Sequence, residues 1–504
     1  MSKPWMALCL SSALCVLPVS SVLADPSIAS AASDTATSAP AVLPASEAVA
    51  QPAVVTAPST APSTAQSTES ATVAAQPAPT PEAAAAPAPE VKLDKGDTAW
   101  MLISTALVLM MTIPGLALFY GGMVRRKNVL GTMMHSFAAA ALVSVLWVAV
   151  GYSLAFSDAS GSLAPYIGNL DKAFLSGVAV DKLWTDAAGT VYTIPETLFM
   201  VFQMTFAIIT VSLMSGAIAE RMKFGSFMVF VSLWVLAVYA PIAHWVWNAD
   251  GWLFAKGALD FAGGTVVHIN SGVAGLVAAY VVGRRVGMGR EAMPPHNLTL
   301  TLIGAGMLWV GWFGFNAGSW LCADGRAAMA MVVTQVAAAM ATLSWLAAER
   351  IFRGKASVLG AASGAVAGLV AITPASGYVG VSGALILGLV AGAVCFWGAT
   401  GLKKLLKVDD SLDAFGVHGV GGMVGALLTG VLATEVITGG APKIMPVAEQ
   451  LWVQFEGVAA TVIYSALMTF VLLKLVNMVM GLRVSEEEER AGLDVSQHGE
   501  RVEG

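Results

Sequence analysis

Histidine is the residue type in this chain best able to do chemistry in an apolar setting, and two of its six histidines lie inside apolar segments. His268 begins the stretch HINSGVAG and His418 begins HGVGGMVG, so a histidine and two glycines recur at the same offsets. An ionisable side chain within an apolar segment is by default a functional hypothesis. The alternative is a pair of core histidines bonded to each other for packing.

A neutral imidazole carries one N–H donor and one acceptor nitrogen. Two neighbouring rings can satisfy each other through one bond and still offer a polar edge to a small solute. A cation there would face a desolvation penalty of order 20 kcal/mol in the idealised limit. The pair therefore favours a small neutral passenger, or relays a proton separately. Zinc would need about four ligands, and neither histidine has a cysteine or carboxylate at ligand spacing, so no metal or cofactor is predicted.

The other four histidines and the four cysteines give no further site. We expect the histidines to be interfacial or surface residues, and the cysteines lack the spacing of a metal site or a disulfide framework. These residues are His135, His244, His296 and His498, and Cys9, Cys15, Cys322 and Cys395.

Aromatic residues and one hydroxyl could form a second site. Phe202 and Phe206 are one helical turn apart, Trp247 ends an apolar segment, and Ser319 follows Phe315 by four residues. Ring faces attract a cation by about 0.5–2 kcal/mol, so a cage of this composition would suit a small cation. Aromatics at helical spacing are more often core residues, and the residues alone leave both interpretations open.

Two carboxylates precede the histidine segments. Asp260 lies just before the first segment, where it could cap exposed backbone N–H groups or favour the arrival of a cation. Asp413 lies just before the second, after Asp409 and Asp410. Asp413 could likewise cap a helix, or it could accept a charge-assisted hydrogen bond from an arginine of a partner protein.

The composition places these residues in a membrane. The 504 residues are 57% hydrophobic and only 12% charged, whereas soluble domains carry roughly 25% charged residues. Lipid must cover much of the surface, and no basic stripe suggests nucleic acid. Apolar stretches of spanning length predict eleven transmembrane helices at 98–123, 129–156, 195–218, 224–247, 263–282, 298–321, 327–348, 356–372, 378–402, 413–432 and 454–480.

Basic residues orient this bundle. Fourteen Lys and Arg residues follow odd-numbered helices and five follow even-numbered ones. Positive charge favours the cytoplasmic side, so the N-terminus is predicted outside and the C-terminus inside. Helices 1 and 6 share a Gly, Phe, Gly pattern, as helices 5 and 10 share the histidine pattern. The fold is therefore predicted to be an all-α membrane protein with an inverted repeat of helices 1–5 and 6–10, plus an eleventh helix.

The ends of the chain differ from this bundle. Residues 1–24 have a basic start, an apolar stretch and small residues at a cleavage point, which predicts a cleaved signal peptide. The alternative is a permanent membrane anchor, but the apolar stretch is short for a span and contains Pro18. Residues 25–93 are rich in Ala and Pro and lack the apolar residues of a core, which predicts a disordered periplasmic linker. The membrane domain is then 94–482, and 483–504 form a short, acidic cytoplasmic tail with helical character.

Several long motifs of the membrane domain resemble one family. They are TIPGLALFYGG (112–122), PIAH (241–244), GALDFAGGTVVHIN (257–270), PHN (295–297), GWFGFNAGS (311–319), VDD (408–410) and FGVHG (415–419). The chain from about 97 to 500 resembles the Amt/Mep/Rh ammonium transporters, and closely the bacterial Amt proteins.

The resemblance implies a homotrimer in the bacterial inner membrane with one ammonium pore per subunit. It implies an external ammonium site of Phe206, Trp247 and Ser319, with Phe202 and Phe315 as stacked gating rings. It also implies that His268 and His418 are twin pore histidines, and that Asp260 is a carboxylate at the pore mouth. A PII-type signalling protein is expected to block the cytoplasmic face, with Asp413 as a contact.

Two other functional classes were compared with transport. An ammonium sensor would be expected to carry a large signalling domain, whereas the tail here is short. A membrane enzyme would need a nucleophile–base pair or a metal set, and the sequence suggests neither. We therefore expect a transporter and no enzymatic activity.

Overall fold

The computed structural model of the protein describes residues 91–502. The predicted signal peptide and all but the last three residues of the predicted linker lie outside the described residues. Within 91–502 the chain is mostly helical, as expected for a segment that must satisfy its backbone hydrogen bonds internally in lipid.

Ten of its helices are long and apolar enough to cross a membrane, and one apolar helix is shorter. This is consistent with the eleven predicted helices, of which the eighth, at 356–372, has the shortest predicted range. The helices are α1 (Lys95–Met123), α2 (Arg126–Phe156), α3 (Glu196–Ile218), α4 (Phe224–Ala255), α5 (Gly264–Val282), α6 (Leu298–Gly318), α7 (Gly325–Arg353), α8 (Val358–Ile372), α9 (Val381–Leu406), α10 (Phe415–Leu432) and α11 (Val447–Met480).

Polar caps at the helix ends explain several boundaries. Asn297 accepts a hydrogen bond from the backbone N–H of Leu300 at the start of α6. Asp324 caps α7 and Ser357 caps α8 in the same way, and Gly354 ends α7 in a left-handed conformation. Such side chains satisfy backbone donors that have no partner within the helix. These short polar stretches are the points at which the apolar sequence is interrupted.

Helices α1 and α6 approach so closely that side chains are excluded at their crossing. A Cβ atom added to Gly304 of α6 would lie 2.6 Å from the Gly115 carbonyl oxygen of α1, and one added to Gly314 would lie 2.7 Å from the Ser104 carbonyl oxygen. Small residues allow this approach of helix backbones in membranes.

Helices α5 and α10 cross in the same manner. A Cβ atom on Gly272 of α5 would collide with the backbone of Gly419 of α10. Equivalent helices of the two predicted repeats thus pack against each other, α1 with α6 and α5 with α10. This arrangement is consistent with the inverted repeat, and it places the two histidine segments at the interface between the halves.

Two features outside the bundle complete the described chain. A two-stranded antiparallel sheet lies between α2 and α3, with β1 (Leu183–Thr185) paired with β2 (Val191–Pro195). Its strands are too short to have been predicted. After α11, the tail forms two short helices, α12 (Glu486–Ala491) and α13 (Leu493–His498), in agreement with its predicted helical character.

Candidate functional site

A cavity of about 130 Å³ contains the three residues expected to bind a cation, Phe206, Trp247 and Ser319. Phe206 comes from α3, Trp247 lies where α4 is interrupted, and Ser319 directly follows α6. The structure therefore brings together residues that are far apart in the sequence. The other lining residues are Phe156, Trp184, Asp186, Tyr192, Phe199, Gln203, Ala249, Phe254, Phe261 and Leu321.

The polar groups of this set are held by backbone carbonyls. The Ser319 hydroxyl donates to the Phe315 carbonyl oxygen at 2.7 Å. Because its proton is used in this way, the lone pairs of the Ser319 oxygen remain available to accept a hydrogen bond. The Trp247 indole Nε1–H donates to the Asp260 carbonyl oxygen at 2.9 Å, which fixes the ring at the cavity.

A continuous series of rings leads inward from this cavity. Trp247 contacts Phe206 edge-on at 5.7 Å between centroids, and Phe206 stacks on Phe315 at 4.2 Å. Phe315 in turn stacks on His268 at 5.9 Å, and His268 on His418 at 5.4 Å. Phe206, Phe315 and His268 are almost completely buried. The rings therefore close the path between the cavity and the histidines.

The structure corrects one detail of the predicted gate. Phe315 was expected to stack on Phe202, but the ring that stacks on it is Phe206, with an interplanar angle of 28°. Phe202 contacts Phe206 edge-on at 4.9 Å. The reason is geometric: Phe206 lies one turn further along α3 and faces α6 at the level of Phe315, while Phe202 supports it from the side.

The two histidines are directly bonded. Their Nδ1 atoms lie 3.3 Å apart, so one ring must donate the proton and the other must accept it. Both rings are at most 3% exposed. The Nε2 atom of His268 has no hydrogen-bond partner among the described residues. The pair thus keeps free polar capacity among the buried rings that surround it.

Local helix geometry positions both histidines. His268 lies in the π-helical segment Gly264–Ile269 and His418 in the π-helical segment Phe415–Gly419. Segments of this kind occur often at functional sites. Trp312, which the sequence analysis did not single out, stacks on His268 at 5.4 Å and 21°. The histidines could be found because they occupy matching positions of the two predicted repeats. Trp312 has no such counterpart in the other repeat, so the sequence offered no comparable signal for it.

Asp260 is a helix cap. Its two carboxylate oxygens accept four backbone N–H groups, those of Gly263, Gly264, Thr265 and Val266, at 2.6–3.0 Å. Burial raises the pKa of Asp260, and these four hydrogen bonds oppose the rise. Of the two alternatives for Asp260, a helix cap or a carboxylate that favours the arrival of a cation, the contacts match the cap. Asp260 does not line the cavity.

Asp410 occupies the equivalent place in the second repeat. It precedes His418 by eight residues, as Asp260 precedes His268, and it accepts the backbone N–H groups of Ala414 and Phe415 at 3.0 and 2.8 Å. The alternative in which Asp413 caps α10 is therefore wrong, because the Asp410 carboxylate already fills that role.

Asp413 lines a basic cavity of about 400 Å³ on the side where odd-numbered helices end. Its carboxylate is one-third exposed and pairs with the Lys403 ammonium at 2.7 Å. The remaining charged residues of the lining are Arg284, Arg353, Lys404, Lys407 and Asp409. An arginine from a partner could reach Asp413, but it would compete there with Lys403.

A buried ion network lies beside this cavity. Arg285 binds Asp409 at 2.8 Å and Glu220 at 3.1 Å, and Arg125 binds Glu220 at 2.9 Å. Burial raises the pKa of Asp409, but the hydrogen bonds and charge of Arg285 outweigh it and lower the pKa to about 2. Burial likewise raises the pKa of Glu220, and Arg285 and Arg125 reverse the shift. Both carboxylates are therefore ionised, and the network ties together the four loops α1–α2, α3–α4, α5–α6 and α9–α10.

The tail docks on the same side of the bundle. The Asp494 carboxylate accepts the backbone N–H of Gly131 at 2.8 Å, and the Glu489 carboxylate accepts that of Val286 at 2.6 Å. The Lys127 ammonium donates to carbonyl oxygens of α12. The tail is thereby linked to α2 and to the α5–α6 loop.

Two of the four remaining histidines were predicted wrongly. His135 and His244 are not surface residues, since they are only 2% and 0% exposed. His135 packs edge-on against Phe227 at 4.5 Å, and His244 bonds the carbonyl oxygens of Ala155 and Ala164. Their distance from helix ends in the sequence did not reveal the packing around them. Within residues 91–502, no group of three or more His, Cys, Asp or Glu side chains is placed to hold a metal ion.

Comparison with known sequences identifies a family of similar proteins. The family model described as the Ammonium Transporter Family matches residues 99–503. The Ammonium transporter of Bacillus subtilis is 50% identical over 413 residues, which cover 81% of this chain and 99% of that protein. The Ammonium transporter of Aquifex aeolicus is 48% identical over 415 residues, 82% of this chain and 95% of that protein.

Solved structures of similar fold support the same assignment. The crystal structure of Saccharomyces cerevisiae Mep2 matches with a TM-score of 0.71 and 37% identity, covering 78% of this chain and 91% of that one. A structure described as a Sensor Amt Protein matches with a TM-score of 0.72 and 29% identity, covering 80% and 98%. The proteins similar to this chain thus include some described as transporters and one described as a sensor.

Proposed function

The chain belongs to the ammonium transporter family, and on this basis we propose that it recruits ammonium at an external aromatic site, deprotonates it and conducts NH3 past twin histidines into the cytoplasm. The observation that carries the proposal is the unbroken series of rings from the cavity to the bonded pair of His268 and His418.

Recruitment uses the composition of the cavity. The faces of Phe206 and Trp247 attract a cation through their ring quadrupoles, and the Ser319 oxygen accepts one of its N–H groups. A small monovalent cation of low hydration cost fits this arrangement. Asp260 acts through the structure, because its side chain caps α5 and its carbonyl holds the Trp247 ring.

Deprotonation is favoured at the rings of Phe206 and Phe315. Beyond them the path is buried, and an ion entering it would face a desolvation cost of order 20 kcal/mol in the idealised limit. Ammonium can escape this cost by giving up a proton, whereas K⁺ cannot. Loss of the proton therefore gives both passage and selectivity.

The histidines then serve the neutral molecule. The unpartnered Nε2 of His268 gives NH3 a polar contact in an otherwise apolar channel. The Nδ1–Nδ1 bond also provides a route for a proton. The released proton either returns to the external water or crosses along the histidine pair, and these routes make transport electroneutral or electrogenic respectively.

Membrane placement and partners belong to the same proposal. Bacterial relatives of high identity and the distribution of basic residues support a multi-pass protein of the inner membrane, with the N-terminus in the periplasm and the C-terminus in the cytoplasm. We include a homotrimer, as the family resemblance implies. We also include a PII-type protein that blocks the cytoplasmic exit at Asp413, with the docked tail as part of its platform.

The direct experiment is an ammonium pulse on proteoliposomes that contain the full chain. An ammonium-dependent current or internal pH change, with none for K⁺, is the expected result. Protein-free liposomes prepared in parallel correct for NH3 that crosses the lipid itself. If ammonium produces the same signal in both preparations, the proposed function is wrong.

A further inference from the structure

The external cavity contains one charged side chain that the sequence analysis did not consider. Among the described residues that line it, Asp186 is the only one with a formal charge at neutral pH. Asp186 directly follows β1 in the hairpin between α2 and α3. The hairpin therefore carries a carboxylate to the place where Phe206, Trp247 and Ser319 meet.

The hairpin holds Asp186 in a defined position. Its Oδ1 atom accepts the backbone N–H of Thr190 at 2.8 Å across the turn. Its Oδ2 atom has only a long contact of 3.5 Å with the Tyr192 hydroxyl. Burial, and then the charge of Asp186, raises the pKa of Tyr192 to about 12, so this hydroxyl stays protonated. One carboxylate oxygen thus anchors the turn, while the other retains accepting capacity.

Neighbouring cations do not neutralise this carboxylate. Lys172 and Lys182 both pair with Glu196 at 2.8 Å. Neither lines the cavity. The negative charge of Asp186 is therefore available to a cation that enters.

Asp186 differs in this respect from Asp260. The Asp260 carboxylate is 5% exposed, its oxygens already accept four backbone N–H groups, and it does not line the cavity. Of these two carboxylates, only that of Asp186 can directly contact a cation that enters the cavity.

A second, neutral acceptor lies in the same cavity. The Oε1 atom of Gln203, on α3 one turn before Phe206, is buried and has no hydrogen-bond partner among the described residues. A buried acceptor without a partner is costly, and a ligand with N–H groups would satisfy it. The cavity therefore offers three kinds of acceptor to a cation that carries several N–H donors: the Asp186 carboxylate, the Gln203 amide oxygen and the Ser319 hydroxyl oxygen.

We propose that Asp186 of the hairpin and Gln203 form an outer capture site for ammonium, which holds the ion by charge and hydrogen bonds before it reaches the aromatic rings. This inference rests on the proposed transport of ammonium and specifies which carboxylate meets the ion. The four N–H donors of ammonium match the carboxylate, amide and hydroxyl oxygens, whereas an ion without donors would use the charge alone.

The size of the charge effect follows from the cavity. A volume of about 130 Å³ corresponds to a width of about 6 Å, and Coulomb attraction over about 6 Å at an effective dielectric constant of about 40–80 changes affinity by about threefold to tenfold. The effect should shrink with salt, since the Debye length falls from about 30 Å at 0.01 M to about 3 Å at 1 M.

The test compares Asp186→Asn with the wild type by two readouts. One is the half-saturating ammonium concentration for transport in proteoliposomes. The other is ammonium binding to the purified full chain in detergent, followed by tryptophan fluorescence. The Asn side chain keeps an oxygen for the Thr190 N–H, so the turn is preserved. Asp181→Asn is the matched control, because Asp181 is exposed near the same hairpin and does not line the cavity.

We expect Asp186→Asn to weaken both readouts about threefold to tenfold at low ionic strength and much less in high salt. Asp186→Glu should restore affinity and Asp181→Asn should behave as the wild type. Unchanged affinity in Asp186→Asn, or a loss equally large at both salt concentrations, would overturn the capture site. A wild type that binds ammonium without transporting it would refute the proposed function alone, whereas a wild type that does neither would refute both.

Discussion

Replacement of Trp247 by Leu should weaken the recruitment of ammonium at the external cavity. The change removes the ring that contacts Phe206 at 5.7 Å and lines the cavity beside Ser319. It also removes the indole N–H that donates to the Asp260 carbonyl oxygen. A leucine fills part of the volume but offers no negative ring face to a cation.

The expected magnitude follows from the single ring that is lost. A cation–π contact contributes about 0.5–1 kcal/mol when exposed and about 2 kcal/mol when desolvated. Trp247 is half-buried, which places it between these limits. Since about 1.4 kcal/mol corresponds to a factor of ten, the half-saturating ammonium concentration should rise by about 2-fold to 30-fold.

The assay is initial ammonium uptake by proteoliposomes over a range of external concentrations. Trp452→Leu serves as the control, because this indole is 60% exposed on α11 and does not line the cavity. Its half-saturating concentration should equal that of the wild type. If Trp247→Leu also leaves the value unchanged for ammonium and methylammonium, the aromatic recruitment site is refuted.

Two further predictions concern the side of the bundle that we propose to be cytoplasmic. Asp413→Ala should weaken inhibition by a PII-type protein far more than it changes uninhibited transport, and equal inhibition of mutant and wild type over a PII titration would exclude Asp413 as a contact. Asp409→Asn should lower the free energy of unfolding by about 3–5 kcal/mol, because it leaves the buried Arg285 without its bidentate partner. The folded pKa of Asp409, about 2, lies below the unfolded value of about 3.9. The stability that the ionised Asp409 carboxylate adds to the folded state should therefore be present above about pH 4 and disappear as the pH falls through about 2. Denaturant titrations that give equal stability for mutant and wild type at neutral pH would contradict this.

The membrane helices could be predicted because lipid imposes strong demands on sequence. The long apolar runs predicted eleven helices, which is consistent with the ten long helices and one shorter apolar helix of the described chain. Many of the predicted boundaries lie close to the observed ones, as α2 and α3 illustrate. The repeated histidine and glycine spacing likewise indicated that His268 and His418 meet, and their Nδ1 atoms are 3.3 Å apart.

Contacts between distant segments could not be predicted in the same way. Stacking of Phe206 rather than Phe202 on Phe315 depends on the rotation of α3 relative to α6. The role of Asp186 depends on a hairpin whose strands, Leu183–Thr185 and Val191–Pro195, are too short for a clear alternation of side chains. One sequence signal was available and unused, namely that Asp260 and Asp410 precede their histidines by the same eight residues.

The central claim is that ammonium crosses the bundle by losing its charge before it reaches the histidine pair. The most direct test is to record currents from proteoliposomes with wild-type protein and with the double variant His268→Ala and His418→Ala, during pulses of ammonium and of K⁺. We predict that the wild type responds to ammonium and not to K⁺, and that the correctly folded double variant shows altered ammonium conduction or loses this discrimination. A double variant with wild-type ammonium current and wild-type selectivity over K⁺ would contradict the role assigned to the histidines.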